Sequence, residues 1–167
     1  DWCERHKIVR PMVITLREAK HWPQRNSRVL NWLRFAGYLR SSGYQPIFVR
    51  DTETVDSPLS GELTCRLAAT EIGIRLALYE AAKCNFFVSN GPAALALYST
   101  VPYLAFFATN VEGYLPGSAY WMRAHNGFGP GEQMPWARPD QRIVWDIDSY
   151  RAIMRGWQAI KPNLMEG

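Results

Sequence analysis

The run Cys84-Asn85-Phe86-Phe87-Val88-Ser89-Asn90-Gly91-Pro92-Ala93-Ala94-Leu95-Ala96-Leu97 leaves few folds open to this chain. An apolar strand passes through Ser-Asn-Gly directly into a helix that starts on proline, which is a strand-helix unit with almost no linker. Such a turn aims backbone N–H groups and the positive end of a helix dipole at one point, an arrangement suited to a phosphate. Gly91 carries no Cβ to hold an anionic ligand away from the backbone, and Pro92 removes an N–H that would lack an intrahelical partner. Ser89, Asn90, Gly91, Pro92 and Ala93 are therefore candidate phosphate-binding residues. An ordinary strand-to-helix turn is the competing reading of the same pattern.

The rest of the chain repeats the alternation. Apolar, β-branched or aromatic runs predict strands at 8–16, 46–50, 85–88, 101–107 and 142–145, with Pro11 delaying the first ladder to about Met12. Between them, Ser27 is placed to cap a helix whose Val29, Leu30, Leu33, Ala36, Gly37 and Leu39 share one face, with Gly43 as its stop. Further helices are expected at 67–83, 92–100 and 148–160. Continuous apolar strands alternating with helices imply an α/β fold, a parallel sheet covered by helices on both faces. Right-handed crossovers then gather the loops at 17–26, 51–56 and 89–91, and the loop after Phe107, along one edge.

With 167 residues the chain fits one domain with a substantial core. The 47% apolar and 20% charged composition is that of a globular protein, and no run reaches the ~18 apolar residues of a membrane span. Asp1 stands where an initiator Met would, and no signal peptide precedes the first strand, so a fragment of a longer protein is expected. The net charge of +4 is built from 15 Arg against 4 Lys, and Arg's planar fork suits phosphate and carboxylate. These cations are spread along the chain, which argues against a nucleic-acid groove. Cys3, Cys65 and Cys84 are odd in number and lack C-x-x-C spacing, so a reducing, cytoplasmic setting is expected rather than a disulfide or zinc framework.

Several constellations stay open between a functional and a structural role. Arg17 or Lys20, in the loop after the first strand, would neutralise a second phosphate charge from across the cleft, or lie in a solvated loop with Trp22 as a plug. Asp51 and Glu53 follow the second strand, where a carboxylate can accept ribose hydroxyls, although the first turn lacks G-x-G-x-x-G. Asp146-Ile147-Asp148 has D-x-D metal spacing but directly precedes a helix, and capping is the favoured reading. No metal site is expected. Segment 108–141, with Tyr114, Tyr120, Trp121, Phe128 and Trp136, is either a lid over a ligand or a cover for core surface. His6, His21 and His125 form no set, and no nucleophile elbow is present, so the catalytic residues are unassigned.

These residues together resemble the C-terminal, donor-binding half of a GT-B glycosyltransferase, most closely the heptosyltransferase-like family (glycosyltransferase family 9-like). That family carries Lys-Arg-Trp-Pro after its first strand, matched by Lys20-His21-Trp22-Pro23. Its Asn-Asp-Ser-Gly-Pro-Met-His-Leu-Ala is matched by Val88-Ser89-Asn90-Gly91-Pro92-Ala93-Ala94-Leu95-Ala96, with Val101-Pro102 opening the next strand. Ser89 replaces the family's Asp and Ala94 its His. The resemblance implies a Rossmann-like domain, a nucleotide-diphosphate sugar as donor with no cofactor or metal, and an N-terminal acceptor domain outside this chain. It also implies a role in polysaccharide biosynthesis. A non-catalytic nucleotide-binding or protein-interaction module and half of a nucleotide-sugar epimerase are the alternatives, the first favoured by the changes at Ser89 and Ala94.

Overall fold

The computed structural model describes residues 5–57, 59, 61–108 and 118–164. Tyr114 and Cys3 lie outside them. Five parallel strands, β1 (Pro11–Thr15), β2 (Gln45–Val49), β3 (Cys84–Val88), β4 (Tyr103–Phe106) and β5 (Gln141–Val144), form one sheet in the order β2-β1-β3-β4-β5. Each lies within two residues of its expected position. Alternate residues feed two cores: Val13, Ile47, Phe87, Tyr103 and Ile143 on one face, Ile14, Phe48, Phe86, Leu104 and Val144 on the other. Burial on both faces explains why the strands read as continuous apolar runs instead of alternating.

Helices α1 (Val29–Ser41) and α6 (Tyr150–Ile160) cover one face, where Phe35 and Trp157 pack edge-on against Phe86 and each other and the Trp32 ring lies tilted against Phe86. The apolar face of α1 differs from the one expected, because Trp32 and Phe35 are buried with Ala36 and Leu39 while Leu30 is 81% exposed. Ser27 is not the cap. Its hydroxyl accepts from the Arg17 amide at 2.9 Å, and Asp148 Oδ2 takes the amide of Arg28 at 2.8 Å and the indole N–H of Trp32 at 2.6 Å. Asp148 therefore caps α1 across the sheet edge, whereas α6 is capped by Ser149, which accepts from the Ala152 amide.

The other face carries α2 (Leu67–Thr70), α3 (Ile72–Ala81), the short α4 (Ala94–Leu97) and α5 (Ala119–Asn126). The single helix expected at 67–83 is broken at Glu71, whose backbone is extended (φ −109°, ψ 108°). Freed carbonyls at Ala68 and Ala69 accept from the guanidinium of Arg75, which makes the break affordable inside the fold. The helix expected at 92–100 is a 3-10 turn, Gly91–Ala93, followed by the four residues of α4. Segment 108–141, expected to be irregular, contains α5, capped by Ser118 and ended by Gly127 in the left-handed region (φ 73°). Met122, Phe128 and Met134 from this segment enter the core, so its described part covers core surface.

Candidate functional site at the β1/β3 switch point

From β1 the chain steps outward to β2, then returns to β3 and proceeds the other way to β5. The connections after β1 and β3 leave the sheet on opposite sides, and this opens a crevice beyond the carboxyl ends of those strands, the usual ligand position in open α/β sheets. Two cavities flank the Asn90-Gly91 turn at this point. One, of about 440 Å³, lies between it, the ends of β1 and β2, and the α2–α3 break. The other, of about 300 Å³, is bounded by Arg25, α4, Tyr98 and α5.

The turn itself offers two main-chain donors. The Ser89 amide is spent on Phe106 O (2.9 Å) and that of Ala93 on Asn90 Oδ1 (2.8 Å). Among the described residues, the amides of Asn90 and Gly91 meet no acceptor. A Cβ added at Gly91 would meet nothing within 4 Å, so nothing in the protein itself demands glycine there; the open space faces the crevice. Since α4 is a single turn, its dipole is small, and the amides with nearby side-chain charge carry the electrostatics.

That charge comes from Arg25. The side chain of Arg17 is turned into its own loop, donating to the carbonyls of His21 (2.8 Å) and Trp22 (3.0 Å) and to Asn26 Oδ1. Asn26 in turn donates to Ala19 O, so the loop is a closed hydrogen-bonded unit. It holds a 3-10 turn, Pro23–Arg25, from which the Arg25 guanidinium reaches Ser89 O at 3.2 Å and lies 5.7 Å from the centroid of the Trp22 ring. Burial, and then the neighbouring Arg17, push the Arg25 pKa below its ordinary value. Among the described residues neither Arg17 nor Arg25 has an ion-pair partner. The first loop thus meets the Ser89–Gly91 turn through Arg25, a residue that composition alone did not single out from its neighbours; the Pro-started turn two residues earlier was the available signal.

Lys20 is 93% exposed at the rim, 3.8 Å from Glu53, and neither lines a cavity. Asp51 does line the larger one. Its Oδ2 accepts the Glu18 amide at 3.1 Å and its Oδ1 only a long 3.3 Å bond from Thr52, leaving acceptor capacity toward the crevice. Glu18, paired with Arg50 and accepting from Thr54 at 2.8 Å, ties the ends of β1 and β2 together. Burial raises the Glu18 pKa, but these hydrogen bonds outweigh it and the net shift is downward. Asp146 and Asp148 are both engaged, Asp146 with Arg155 at 3.1 Å and the Ile147 amide, Asp148 with the start of α1. His21 packs at a tilt against Trp22 and His125 stacks on Trp121, and neither lines the crevice.

Among solved structures, the chain is similar to the glycosyl transferase family 9 protein from Veillonella parvula DSM 2008, with a TM-score of 0.62 and 10% identity over 99% of this chain and 50% of that one. It is also similar to the ADP-heptose lps heptosyltransferase II of E. coli, with a TM-score of 0.61 and 14% identity over 98% of this chain and 50% of that one. No protein-family model matches the sequence, and no curated protein does. The chain spans about half the length of these structures and shares the α/β fold of the half it covers.

Proposed function

We propose that this chain is the donor-binding half of a metal-independent, GT-B-type glycosyltransferase of the heptosyltransferase-like family. The donor is a nucleotide-diphosphate sugar. Its diphosphate sits between the amides of Asn90 and Gly91 and the guanidinium of Arg25, with the nucleoside toward the larger cavity and Asp51, and the sugar toward the smaller one. Ser89, Pro92 and Ala93 shape the turn, Arg17 positions Arg25, and Lys20 reaches the outer phosphate if it leaves Glu53. The observation that carries this reading is the half-buried Arg25, without an ion-pair partner among the described residues, beside two amides that meet no acceptor among them, at the switch point.

The chemistry follows from those charges. As the glycosidic bond to the donor breaks, negative charge grows on the departing diphosphate, and fixed amides with a partly desolvated guanidinium stabilise it without reorganising. The acceptor and its general base belong to a second, N-terminal domain, in a cytoplasmic pathway of polysaccharide assembly. A thermal melt with UDP, GDP, ADP and CDP tests the reading. A ligand at 100 times its dissociation constant adds about 2.7 kcal/mol to stability, so at least one nucleotide raises Tm by several degrees. The loss of the family's Asp and His at Ser89 and Ala94 favours a second reading, a non-catalytic interaction module, and that reading predicts no shift with any nucleotide at millimolar concentration.

A further inference from the structure

The face of the sheet covered by α1 and α6 carries an unbalanced charge. Leu30, Arg34, Gly37 and Ser41 form the outward stripe of α1, opposite the buried Trp32, Phe35, Ala36 and Leu39. On α6 the outward stripe is Arg151, Arg155 and Gln158, opposite Ile153, Gly156, Trp157 and Ile160. The Arg34 guanidinium lies over the Tyr150 ring, 3.9 Å from its centroid, and so joins the two helices at their first turns. Together they hold four arginines, Arg34, Arg40, Arg151 and Arg155, and no carboxylate. Arg40 is paired with Glu62 and Arg155 with Asp146, both from outside the helices. Among the described residues Arg34 and Arg151 have no ion-pair partner. Arg142 adds an exposed cation on this face, because it pairs in register with Leu104 and stands two residues from Met12-side core neighbours such as Val144 on the same strand.

At the head of this cationic strip stands Leu30, 81% exposed in the first turn of α1. The strip therefore fits a partner that is anionic and also takes up an apolar side chain. We infer that the α1–α6 face docks on a membrane surface containing anionic phospholipid, with the arginines among the headgroups and Leu30 at the boundary with the acyl chains. The contact is interfacial: among the described residues no helix is long and apolar enough to cross a bilayer. A nucleic acid fits less well, because the outward stripes carry no aromatic ring on which a base could stack. None of these residues lines the two cavities at the Asn90-Gly91 turn, so the inference stands apart from the nucleotide reading.

Co-sedimentation of the chain with vesicles of phosphatidylcholine, with and without phosphatidylglycerol, tests this. The chain is expected to sediment with the anionic vesicles at about 0.1 M salt, and to bind about tenfold or more weakly to phosphatidylcholine alone or at about 0.5 M salt. Each arginine contributes about fivefold, so Arg34→Gln combined with Arg151→Gln is expected to weaken binding about 25-fold. Leu30→Ser is expected to weaken it about tenfold. Arg66→Gln, which removes an exposed cation beside α2 on the opposite face, should change it less than twofold, and Arg34→Lys, which keeps the charge, less than about threefold. All these positions are exposed, and a thermal melt checks that each variant folds like the wild type. Equal binding to both vesicles, binding to neither, or anionic binding that survives the Arg34/Arg151 and Leu30 substitutions overturns the inference. Retention on heparin without sedimentation on either vesicle overturns it as well, and assigns the face to an acidic polymer.

Discussion

Arg25→Ala is the substitution that separates binding from folding most sharply. In the free protein the side chain makes, among the described residues, one hydrogen bond to a neutral acceptor, Ser89 O at 3.2 Å, and lies 5.7 Å from the Trp22 ring centroid. Those contacts contribute about 1 kcal/mol in sum, and removing the charge also relieves repulsion from Arg17, so the net change in stability is within about 1 kcal/mol. Against a diphosphate the same guanidinium makes a charge-assisted hydrogen bond in a partly desolvated site. Its loss costs about 1.5–3 kcal/mol, or roughly 10- to 150-fold in dissociation constant. Titration calorimetry with the nucleoside diphosphate that gives the largest melt shift, paired with urea unfolding, reads both quantities. A variant that unfolds like the wild type and binds at least tenfold more weakly supports the assignment. An affinity unchanged within twofold would remove Arg25 from the site.

Three further outcomes follow from the packing and the titrating groups. A Cβ at Gly156 would stand 2.9 Å from Leu104 Cδ1 and 3.1 Å from Val144 Cγ2 in a filled core, so Gly156→Ala is expected to destabilise by about 1–3 kcal/mol in a urea melt. Asp148→Ala strands the buried indole N–H of Trp32 and should cost about 1–3 kcal/mol, whereas Asp148→Asn keeps one oxygen for both donors and should cost under about 1 kcal/mol; equal losses would refute the cross-sheet cap. Glu18 has a folded pKa below its ordinary value, so its contribution is complete above the unfolded pKa and disappears as pH falls through the folded one. Asp148 runs the other way, because burial raises its pKa above the ordinary value despite the hydrogen bonds from Arg28 and Trp32. Acidification therefore weakens the Glu18–Arg50 tie between β1 and β2, and Glu18→Gln should flatten the stability profile below about pH 5.

The strands were legible because a strand buried on both faces needs nothing but apolar, β-branched or aromatic residues, and runs such as 85–88 and 101–107 admit no other period. The helix break at Glu71 was not, since 67–83 is periodic throughout and the compensating contacts of Arg75 are tertiary. Asp148 was read as a local cap, and it is a cap, but for a helix more than a hundred residues away in sequence. The short helix at Ser118–Gly127 did carry its signals, a Ser cap and a Gly stop, which the surrounding glycines and prolines obscured. At the site, the turn at Asn90-Gly91 and the approach of the first loop could be anticipated from the order of elements. Which cation faces the turn could not, because Arg17 and Arg25 differ only in how the loop folds upon itself.

The account's central claim is that the Asn90-Gly91 amides and Arg25 together bind the phosphates of a nucleotide. Amide and Arg Nε chemical shifts recorded while the nucleoside diphosphate is titrated in test this most directly. The largest saturable changes are expected at Asn90, Gly91 and the Arg25 side chain, with smaller ones at Asp51. Saturable changes confined to other surfaces, with Gly91 and Arg25 silent, would contradict it.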